Sequence, residues 1–251
     1  MRIVRFEFRK APRWGIIDSG IVKVLKFPPF EKIVLTNIRI PLNKIKFLPP
    51  ACPGKIVLAG LNYKDHAKEL NMPVPKEPVI FLKPAGALIA HRQNIIYPKL
   101  ATRVDYEAEL AVVIKKKAKS ISEKEANKYI LGFTCLNDVT ERNLQKKDIQ
   151  WTRAKSFDTF CPLGPWIETK LDCSDLRIRA YLNGLTRQDS STKNFIFSIE
   201  YLVSFISGVM TLLPGDVIST GTPPGVGPMN PGDKIEVEIE GIGKLENKVV
   251  K

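Results

Sequence analysis

Three acidic residues, Asp105, Glu107 and Glu109, alternate within the otherwise apolar segment VDYEAELAVVI at 104–114. Alternate residues of a β-strand point to the same face, so this pattern predicts a row of carboxylates on one side of a strand. Burying an unpaired charge is costly, which means that such carboxylates must be solvated, paired with cations or bound to a metal ion. The strand taken alone does not choose among these three states.

A fourth acidic residue, Asp138 in CLNDVTER, lies at a predicted strand-to-helix junction. Together with Glu107 and Glu109 it forms a set of hard oxygen ligands. Such a set, without His or Cys, suits Mg²⁺, Mn²⁺ or Ca²⁺ rather than zinc. The alternative interpretation is a solvated edge strand whose acidic residues pair with lysines.

One of the two histidines, His66, lies in the segment NYKDHAKEL, three residues before Glu69. On a helix these two side chains share a face and can form a hydrogen bond. A carboxylate that orients an imidazole produces a general base that works near neutral pH. The alternative is an ordinary surface histidine near a glutamate. The other histidine, His91, has no comparable partner and is interpreted as a surface loop residue.

Two further segments contain residues that can stabilise negative charge. Lys155 lies in the fairly apolar segment WTRAKSFDTFCPLGPW, and a partly buried lysine beside a metal can hold an oxyanion or an enolate. Its alternative role is that of a surface lysine with its stem on apolar neighbours. The segment STGTPPGVG at 219–227 lacks the GK[ST] ending of a phosphate-binding loop. It is better explained as a tight turn that offers backbone N–H groups and the Thr222 hydroxyl to an anion.

The elements that must position these residues are mainly strands. Short strand patterns fill residues 1–50, and a Pro-rich stretch at 47–54 marks a boundary. Asn183-Gly184 predicts one hairpin, and the end of the chain predicts another. The pattern of Ser122 and Glu125 predicts a capped helix that Gly132 ends. These elements favour a mainly β fold with a few helices over a doubly wound sheet.

Two more helices are predicted. One begins near Asp138 in NDVTERNLQKK, and YLVSFISGVMTLL at 201–213 has the composition of a core helix. This apolar stretch is shorter than the roughly 18 residues of a membrane span. The N-terminus lacks the apolar region of a signal peptide. The four cysteines show no zinc-binding spacing, so free thiols, a cytoplasmic location and no membrane contact are expected.

The formal charge of +13 is concentrated at one end of the chain, because residues 1–50 contain 11 Lys and Arg against three acidic residues. A basic N-terminal segment is able to contact nucleic acid or another anion. These cations are scattered singly at strand-like spacing, and no nucleic-acid-binding signature accompanies them. Nucleic-acid binding is therefore not the favoured interpretation.

Nine segments, in chain order, carry a resemblance to a known family: GLNYKDHAKE, PVIFLKP, DYEAELAVVI, LNDVTERNLQ, WTRAKSFDTFCPLGPW, NGLTRQ, FIFSIEYLVSFIS, TLLPGDVISTGTPPGVGP and GDKIEVEIEGIG. With these segments the sequence resembles the fumarylacetoacetate hydrolase family from about residue 55 to the end. The resemblance implies a rolled mixed β-sheet similar to a sandwich or barrel, and a homodimer. It also implies a division into a small basic N-terminal β module at 1–50 and a catalytic domain at 51–251.

The resemblance also assigns roles to single residues. It implies that the metal ligands are Glu107, Glu109 and Asp138, that the catalytic residues are His66, Glu69 and Lys155, and that the substrate contacts are Arg142, Gln145 and Thr222. In this assignment the His66–Glu69 pair lies on a segment that closes over the site as a lid. Supporting roles are expected for Asp105 and Asp65.

The reaction expected from the resemblance is Mg²⁺-dependent hydrolysis of a C–C bond in a small 2,4-dioxo acid, such as an acylpyruvate or fumarylpyruvate. The alternative is an isomerase or decarboxylase acting on a related diacid, such as 2-hydroxyhepta-2,4-diene-1,7-dioate. A third interpretation is a non-catalytic protein that binds anions or nucleic acid through its basic N-terminal segment. The fold and the ligand set do not choose among the enzymatic reactions.

Overall fold

A computed structural model describes all 251 residues. The chain is mainly β, as the sequence predicted, with four short 3₁₀ helices in addition to its strands and α-helices. The strands are β1 (Arg2–Phe8), β2 (Ala11–Asp18), β3 (Ile21–Leu25), β4 (Leu35–Pro41), β5 (Lys46–Leu48), β6 (Ile56–Ala59), β7 (Ile80–Lys83), β8 (Leu88–Ala90), β9 (Asn94–Ile96), β10 (Val104–Tyr106), β11 (Ala108–Ile114), β12 (Ile130–Asn137), β13 (Thr140–Glu141), β14 (Cys161–Glu168), β15 (Arg177–Leu182), β16 (Leu185–Ser191), β17 (Val217–Ser219), β18 (Gly227–Met229), β19 (Lys234–Ile239) and β20 (Gly243–Val250). The helices are α1 (Lys64–Glu69), α2 (Arg142–Lys147), α3 (Thr152–Lys155) and α4 (Ile199–Val209).

A 12-stranded mixed sheet forms the centre of the fold. Its main path runs β4-β3-β2-β1-β14-β12-β11-β17-β6-β7, with β5 and β8 paired beside it. Most neighbours are antiparallel, but β17 pairs with β6, and β14 with β8, in parallel. Because β4 and β7 end the path without meeting, the sheet is rolled but open. The N-terminal strands continue this sheet through the pairing of β1 with β14.

Two smaller sheets complete the structure. One has the order β13-β10-β18, and the other has the order β16-β15-β19-β20-β9. The largest apolar cluster joins Leu110 and Val112 of the central sheet to Ile178 and Val237 of the five-stranded sheet. The two sheets therefore pack on each other over a shared core, and β11 is buried along its whole length.

Several local predictions are confirmed. Asn183 and Gly184 join β15 to β16 with φ angles of 54° and 80°, which a two-residue hairpin turn with both residues left-handed requires. β19 and β20 form the predicted final hairpin. α4 is a core helix whose first turn is capped by the Ser198 side chain, which accepts the Tyr201 N–H. None of the helices combines the length and apolar composition that a membrane-spanning helix needs.

The helix predicted between Ser122 and Gly132 is wrong in its type and its end. Glu123–Tyr129 is a 3₁₀ helix, and Gly132 lies inside β12. Ser122 Oγ does donate to Glu125 over 3.0 Å, but its side chain caps no backbone group. Gly132 serves a close approach between strands, because a Cβ there would lie 2.4 Å from the Glu168 carbonyl oxygen.

The helix predicted near Asp138 begins later, at Arg142. Residues Thr140–Glu141 are used instead by β13, which pairs with β10. The Glu141 side chain then caps α2 by accepting the Leu144 N–H. Strand pairing thus places Thr140 and Glu141 in β13, although local helix signals alone assign them to the helix.

Candidate metal centre and active site

Glu107, Glu109 and Asp138 form a compact carboxylate cluster, in which one oxygen of each lies within 4.8 Å of the other two. All three are at least 94% buried, with exposures of 6%, 1% and 0%. Strand pairing brings them together, since Ala108 of β11 lies opposite Asn137 of β12. The Asp138 N–H donates to the Glu107 carbonyl over 2.9 Å, which fixes the two ligands' backbones directly.

The strand predicted over 104–114 is divided into two strands that belong to different sheets. β10 pairs with β13 and β18, whereas β11 belongs to the central sheet. Glu107 lies in the break between them, and the Asn137 side chain accepts its N–H over 3.0 Å. Asp105 consequently leaves the cluster and pairs with Arg103 and Arg142. The prediction of one continuous acidic row is therefore wrong, although the cluster itself is present.

Two buried lysines compensate the negative charge of the carboxylate cluster. Lys155, at the end of α3, donates to Glu107 over 2.9 Å and to Asp138 over 2.5 Å. Lys83, at the end of β7, donates to the other Asp138 oxygen over 2.5 Å and to the Val139 carbonyl. Each lysine is 1% exposed. Burial lowers the pKa of Lys155, but the charges of Asp138 and Glu107 outweigh it and raise that pKa overall.

Arg142 links the cluster to Asp105. Its guanidinium donates to Asp105 over 2.9 Å, to Glu107 over 2.6 Å and to the Gln145 side chain over 2.5 Å. Asp105 therefore supports the site through Arg142, which agrees with the supporting role expected for it. Contacts of Arg142 and Gln145 with a substrate remain predictions; the structure places Arg142 against the carboxylates and Gln145 beside Arg142.

The pKa values of the two glutamates of the cluster are shifted in opposite directions. Burial alone would raise the pKa of Glu107, but Lys155 and Arg142 outweigh burial and lower it to about 2. Burial, together with the charges of Asp138 and Glu107, raises the pKa of Glu109 to about 8. Glu109 accepts hydrogen bonds from Ser219 Oγ over 2.5 Å and from the Gly221 N–H over 2.9 Å. Without a bound metal ion, the raised pKa of Glu109 favours its protonated form at neutral pH.

This donor set fits a hard divalent cation. All three ligands are carboxylate oxygens, no sulfur or imidazole is among them, and a cation would remove the repulsion that raises the pKa of Glu109. Glu107, Glu109 and Asp138 are thus the residues that would hold Mg²⁺, Mn²⁺ or Ca²⁺.

His66 and Glu69 meet on α1 as the i,i+3 spacing predicted. His66 Nδ1 lies 2.8 Å from Glu69 Oε2. The imidazole is buried at 7% exposure, and the Glu69 side chain is 42% exposed. Glu69 also accepts the Gly225 N–H over 3.0 Å. The pair therefore has the geometry of an oriented imidazole base.

The turn after β17 connects the two parts of the site. Its Gly221 N–H bonds Glu109, its Gly225 N–H bonds Glu69, and the Thr222 hydroxyl donates to the Ala108 carbonyl over 2.9 Å. The predicted backbone N–H groups therefore serve the protein's own carboxylates. A contact between Thr222 and a substrate anion stays a prediction.

Sequence reasoning missed Lys83 and Gln188. The signal for Lys83 was its position at the end of the apolar segment PVIFLKP, just before a proline. Gln188 accepts the Ala108 N–H over 2.9 Å and donates to Thr222 over 2.9 Å, and nothing in the local pattern indicated this role. His91 lies in a turn, as predicted, but it is only partly exposed, because its Nδ1 accepts the Glu246 N–H and its ring packs edge-on against Phe47.

A buried triad of carboxylates, two lysines bonded to these carboxylates and a His–Glu pair on α1, which one turn links to the triad, define an enzyme with a candidate metal centre, built on an open rolled β-sheet. A family model described as "Fumarylacetoacetate (FAA) hydrolase C-terminal" matches residues 55–250, and one described as "Rv2993c-like, N-terminal" matches residues 1–50. The chain belongs to the fumarylacetoacetate hydrolase family.

Known relatives and structures agree with this membership. A protein of Archaeoglobus fulgidus is 57% identical over 221 residues, which is 88% of each chain. Oxaloacetate tautomerase FAHD2A, mitochondrial, of Bos taurus is 44% identical over 224 residues, covering 84% of this chain and 71% of that protein. The crystal structure of 5-carboxymethyl-2-hydroxymuconate delta-isomerase from Mycobacterium smegmatis is 43% identical, with a TM-score of 0.94 over 100% of this chain and 99% of the other.

Proposed function

We propose that this protein is a divalent-metal-dependent enzyme that moves a proton at the carbon next to the keto group of a small 2-oxo diacid. The reaction is a tautomerisation or isomerisation. The observation that carries the proposal is the His66–Glu69 pair. Glu69 of this pair and Glu109 of the carboxylate cluster accept hydrogen bonds from backbone N–H groups of the same turn. When bound to Glu107, Glu109 and Asp138, a divalent cation supplies Lewis acidity that favours the enolate form of a 2-oxo acid.

The charges around the cluster favour an anionic substrate. When a metal ion displaces the proton of Glu109, three buried or nearly buried cations face four buried carboxylates; the cations are Lys83, Arg142 and Lys155, and the acids are Asp105, Glu107, Glu109 and Asp138. These buried charges sum to −1, so a bound divalent cation leaves one excess positive charge, whereas Arg103 is 43% exposed and is compensated by solvent. The carboxylate of a 2-oxo acid compensates this excess, and a buried uncompensated charge is costly.

His66 is the proposed proton-transfer residue. When its Nδ1–H donates to Glu69, the lone pair of Nε2 is free to accept a proton from the carbon next to the keto group and then to deliver it to the enolate oxygen or to another carbon of the substrate. The Gly225 N–H holds Glu69 from the other side, so the imidazole keeps this tautomer and orientation. The Lys155 ammonium then stabilises the negative charge that develops on the substrate oxygen.

Two of the relatives support proton transfer, since one is an oxaloacetate tautomerase and one a delta-isomerase. Hydrolysis of a C–C bond in a 2,4-dioxo acid is the second candidate, because the same His–Glu pair is also suited to activate water. The family description, with the word hydrolase, favours this alternative. Decarboxylation of a 2-oxo diacid is a further outcome that the same assay detects.

The test is incubation with oxaloacetate and with acetylpyruvate, with Mg²⁺, Mn²⁺ or EDTA. Enol–keto conversion is followed by ultraviolet absorbance, and mass spectrometry identifies products. Metal-dependent interconversion of oxaloacetate without change of mass supports the proposal. Release of pyruvate and acetate from acetylpyruvate supports hydrolysis instead. Asp138→Asn should lose the activity, and the matched control Glu31→Gln, on the exposed surface, should keep it.

The homodimer implied by the family resemblance is also proposed. Sedimentation equilibrium of the full chain at micromolar concentration tests it, and a mass of 28.2 kDa would contradict it.

A further inference from the structure

The helix α1 that carries His66 and Glu69 is too short to hold its own position. Its six residues span about 9 Å. Isolated helices of fewer than about 12 residues are marginal in water, so contacts from outside must fix α1. Residues 71–78, which follow α1, form neither helix nor strand. The orientation of the proton-transfer pair therefore depends on side chains that tie α1 to the rest of the fold.

Asp65 makes such a tie from the first turn of α1. Its Oδ2 accepts hydrogen bonds from Ser190 Oγ over 2.5 Å and from Asn194 Nδ2 over 3.1 Å. Asn194 Nδ2 also lies 3.1 Å from Ser190 Oγ, which closes a three-membered network. The other oxygen, Oδ1, accepts the backbone N–H of His66 over 3.0 Å. One carboxylate thus connects the backbone of the base to two side chains more than 100 residues away in sequence.

An acidic residue in the first turn of a helix is ordinary, because it faces the positive end of the helix dipole. Two donors from a separate part of the fold are not explained by the dipole. Hydrogen bonds to an ionised carboxylate are about twice as strong as those between neutral groups. The arrangement is therefore a connection between elements as well as a local cap.

The strand that contains Ser190, β16, also contacts the carboxylate cluster, through the side of the strand on which Ser190 lies. Gln188 and Ser190 are two residues apart, so they point to one side of the strand. Gln188 holds the Ala108 N–H, between Glu107 and Glu109, and also holds Thr222. One face of β16 thus contacts the strand of the carboxylate cluster and, through Ser190, the helix of the His–Glu pair.

We propose that Asp65, held by Ser190 and Asn194, is a positioning residue that fixes α1 relative to the carboxylate cluster. Strand β16 contacts both α1 and the strand of the cluster. Asp65 acts through His66 and does not touch the substrate. The tie itself is independent of the reaction, but its effect on turnover rests on the proposed function. Loss of the tie lowers the fraction of molecules in which His66 is correctly placed, without altering the carboxylates that hold the cation.

Three variants of the full chain test this proposal: Asp65→Ala, Ser190→Ala and the control Ser190→Thr, which keeps a hydroxyl. Hydrogen exchange of the Ala67 and Leu70 amides, which are bonded to Tyr63 and His66 carbonyls, reports the position of α1. We expect at least tenfold faster exchange in both alanine variants and near-wild-type exchange in Ser190→Thr. The Kd for Mn²⁺ should change less than twofold, while kcat falls at least tenfold in the alanine variants.

The double variant Asp65→Ala/Ser190→Ala should lose no more than the stronger single variant, because both changes break one network. Exchange within twofold of wild type in Ser190→Ala would overturn the proposal, as would a loss of Mn²⁺ affinity that parallels the loss of kcat. If the wild-type protein turns over no 2-oxo acid, yet α1 exchanges faster in both alanine variants, the tie stands and the proposed function fails.

Discussion

Glu69 on α1 and Glu109 on β11 accept hydrogen bonds from the same turn, through the N–H groups of Gly225 and Gly221 over 3.0 and 2.9 Å. The two glutamates belong to different parts of the site, one beside the imidazole and one among the carboxylates. Their shared turn sets the position of the proton-transfer pair relative to the candidate metal centre. Because the proton-transfer pair and the carboxylates lie on different elements, proton transfer and metal binding should be separable by mutation.

His66→Gln should therefore keep metal binding and lose turnover. Glutamine fills a similar volume but accepts no proton from carbon, and loss of a general base lowers rates by roughly 10²–10⁴-fold. Titration calorimetry with Mn²⁺ and steady-state kinetics measure the two properties. Glu69→Gln, which retains a hydrogen-bonding side chain, should lose less activity than His66→Gln. Equal activity of His66→Gln and wild type would contradict the assignment of the base.

Metal binding should release a proton at neutral pH. Because the pKa of Glu109 is raised to about 8, its carboxyl is protonated at pH 7 and must ionise to bind a cation. Affinity for Mn²⁺ should rise with pH up to about 8 and then level off. Calorimetry in two buffers of different ionisation enthalpy measures the proton. Glu109→Gln should abolish the release and weaken binding, and equal heats in both buffers for the wild type would refute the prediction.

The same raised pKa affects the stability of the metal-free protein. The folded state retains a proton on Glu109 that the unfolded chain loses above about pH 4.5, so this group reduces stability as pH rises from 4.5 to 8. Added Mg²⁺ should reduce this loss. Chemical denaturation at several pH values, with and without Mg²⁺, measures the difference between wild type and Glu109→Gln.

Lys83→Met should destabilise the metal-free protein by about 3 kcal/mol, because removal of one partner leaves Asp138 buried with less compensation. A bound divalent cation replaces the missing charge, so Mg²⁺ should restore most of the lost stability. Calorimetric unfolding with and without Mg²⁺ measures both effects. The control is Lys76→Met at an exposed position, which should change neither. A deficit that Mg²⁺ leaves unchanged would show that Lys83 serves packing alone.

His91 should make the protein less stable in mild acid. Burial first, and then the charge of Arg92, lower its pKa from 6.5 to about 4. Its Nδ1 accepts the Glu246 N–H, a bond that protonation of this nitrogen breaks. The unfolded chain binds the proton more readily, so stability falls as pH drops from 6.5 to 4, by about 2 kcal/mol after allowance for solvent screening.

His91→Asn retains a hydrogen-bond acceptor and does not titrate in this range. Its free energy of unfolding should therefore depend less on pH between 6.5 and 4 than that of the wild type. Urea denaturation at pH 6.5, 5 and 4 measures the difference. Parallel pH profiles for the two proteins would contradict the role assigned to His91.

Contacts within one element could be predicted from the sequence. The His66–Glu69 contact follows from helix geometry, which places residues three apart on one face. The turn at Asn183-Gly184 follows from backbone conformations that few residues adopt. Glu107 and Glu109 were correctly grouped because two-residue spacing survives the break in the strand between them. In each case the relevant distance is set by a few consecutive residues.

Other features needed neighbours that local patterns do not contain. The spacing of Ser122 and Glu125 is typical of a capped α-helix, but the pairing of β12 with β11 and the close approach of Gly132 to Glu168 produce a short 3₁₀ helix followed by a strand. Asp105 lies apart from the other acidic residues because β10 belongs to a separate sheet. There its carboxylate pairs with Arg103 and Arg142.

The sequence by itself determined the contact between His66 and Glu69, the grouping of Glu107 with Glu109, and the mainly β fold, because residue type and short spacing suffice for these. Only the tertiary structure decided that Lys83 and Lys155 share Asp138, and that β16 spans both parts of the site. Lys83 and Asp138 are 55 residues apart in sequence. Their contact exists only after the central sheet has formed around a buried charge that needs compensation.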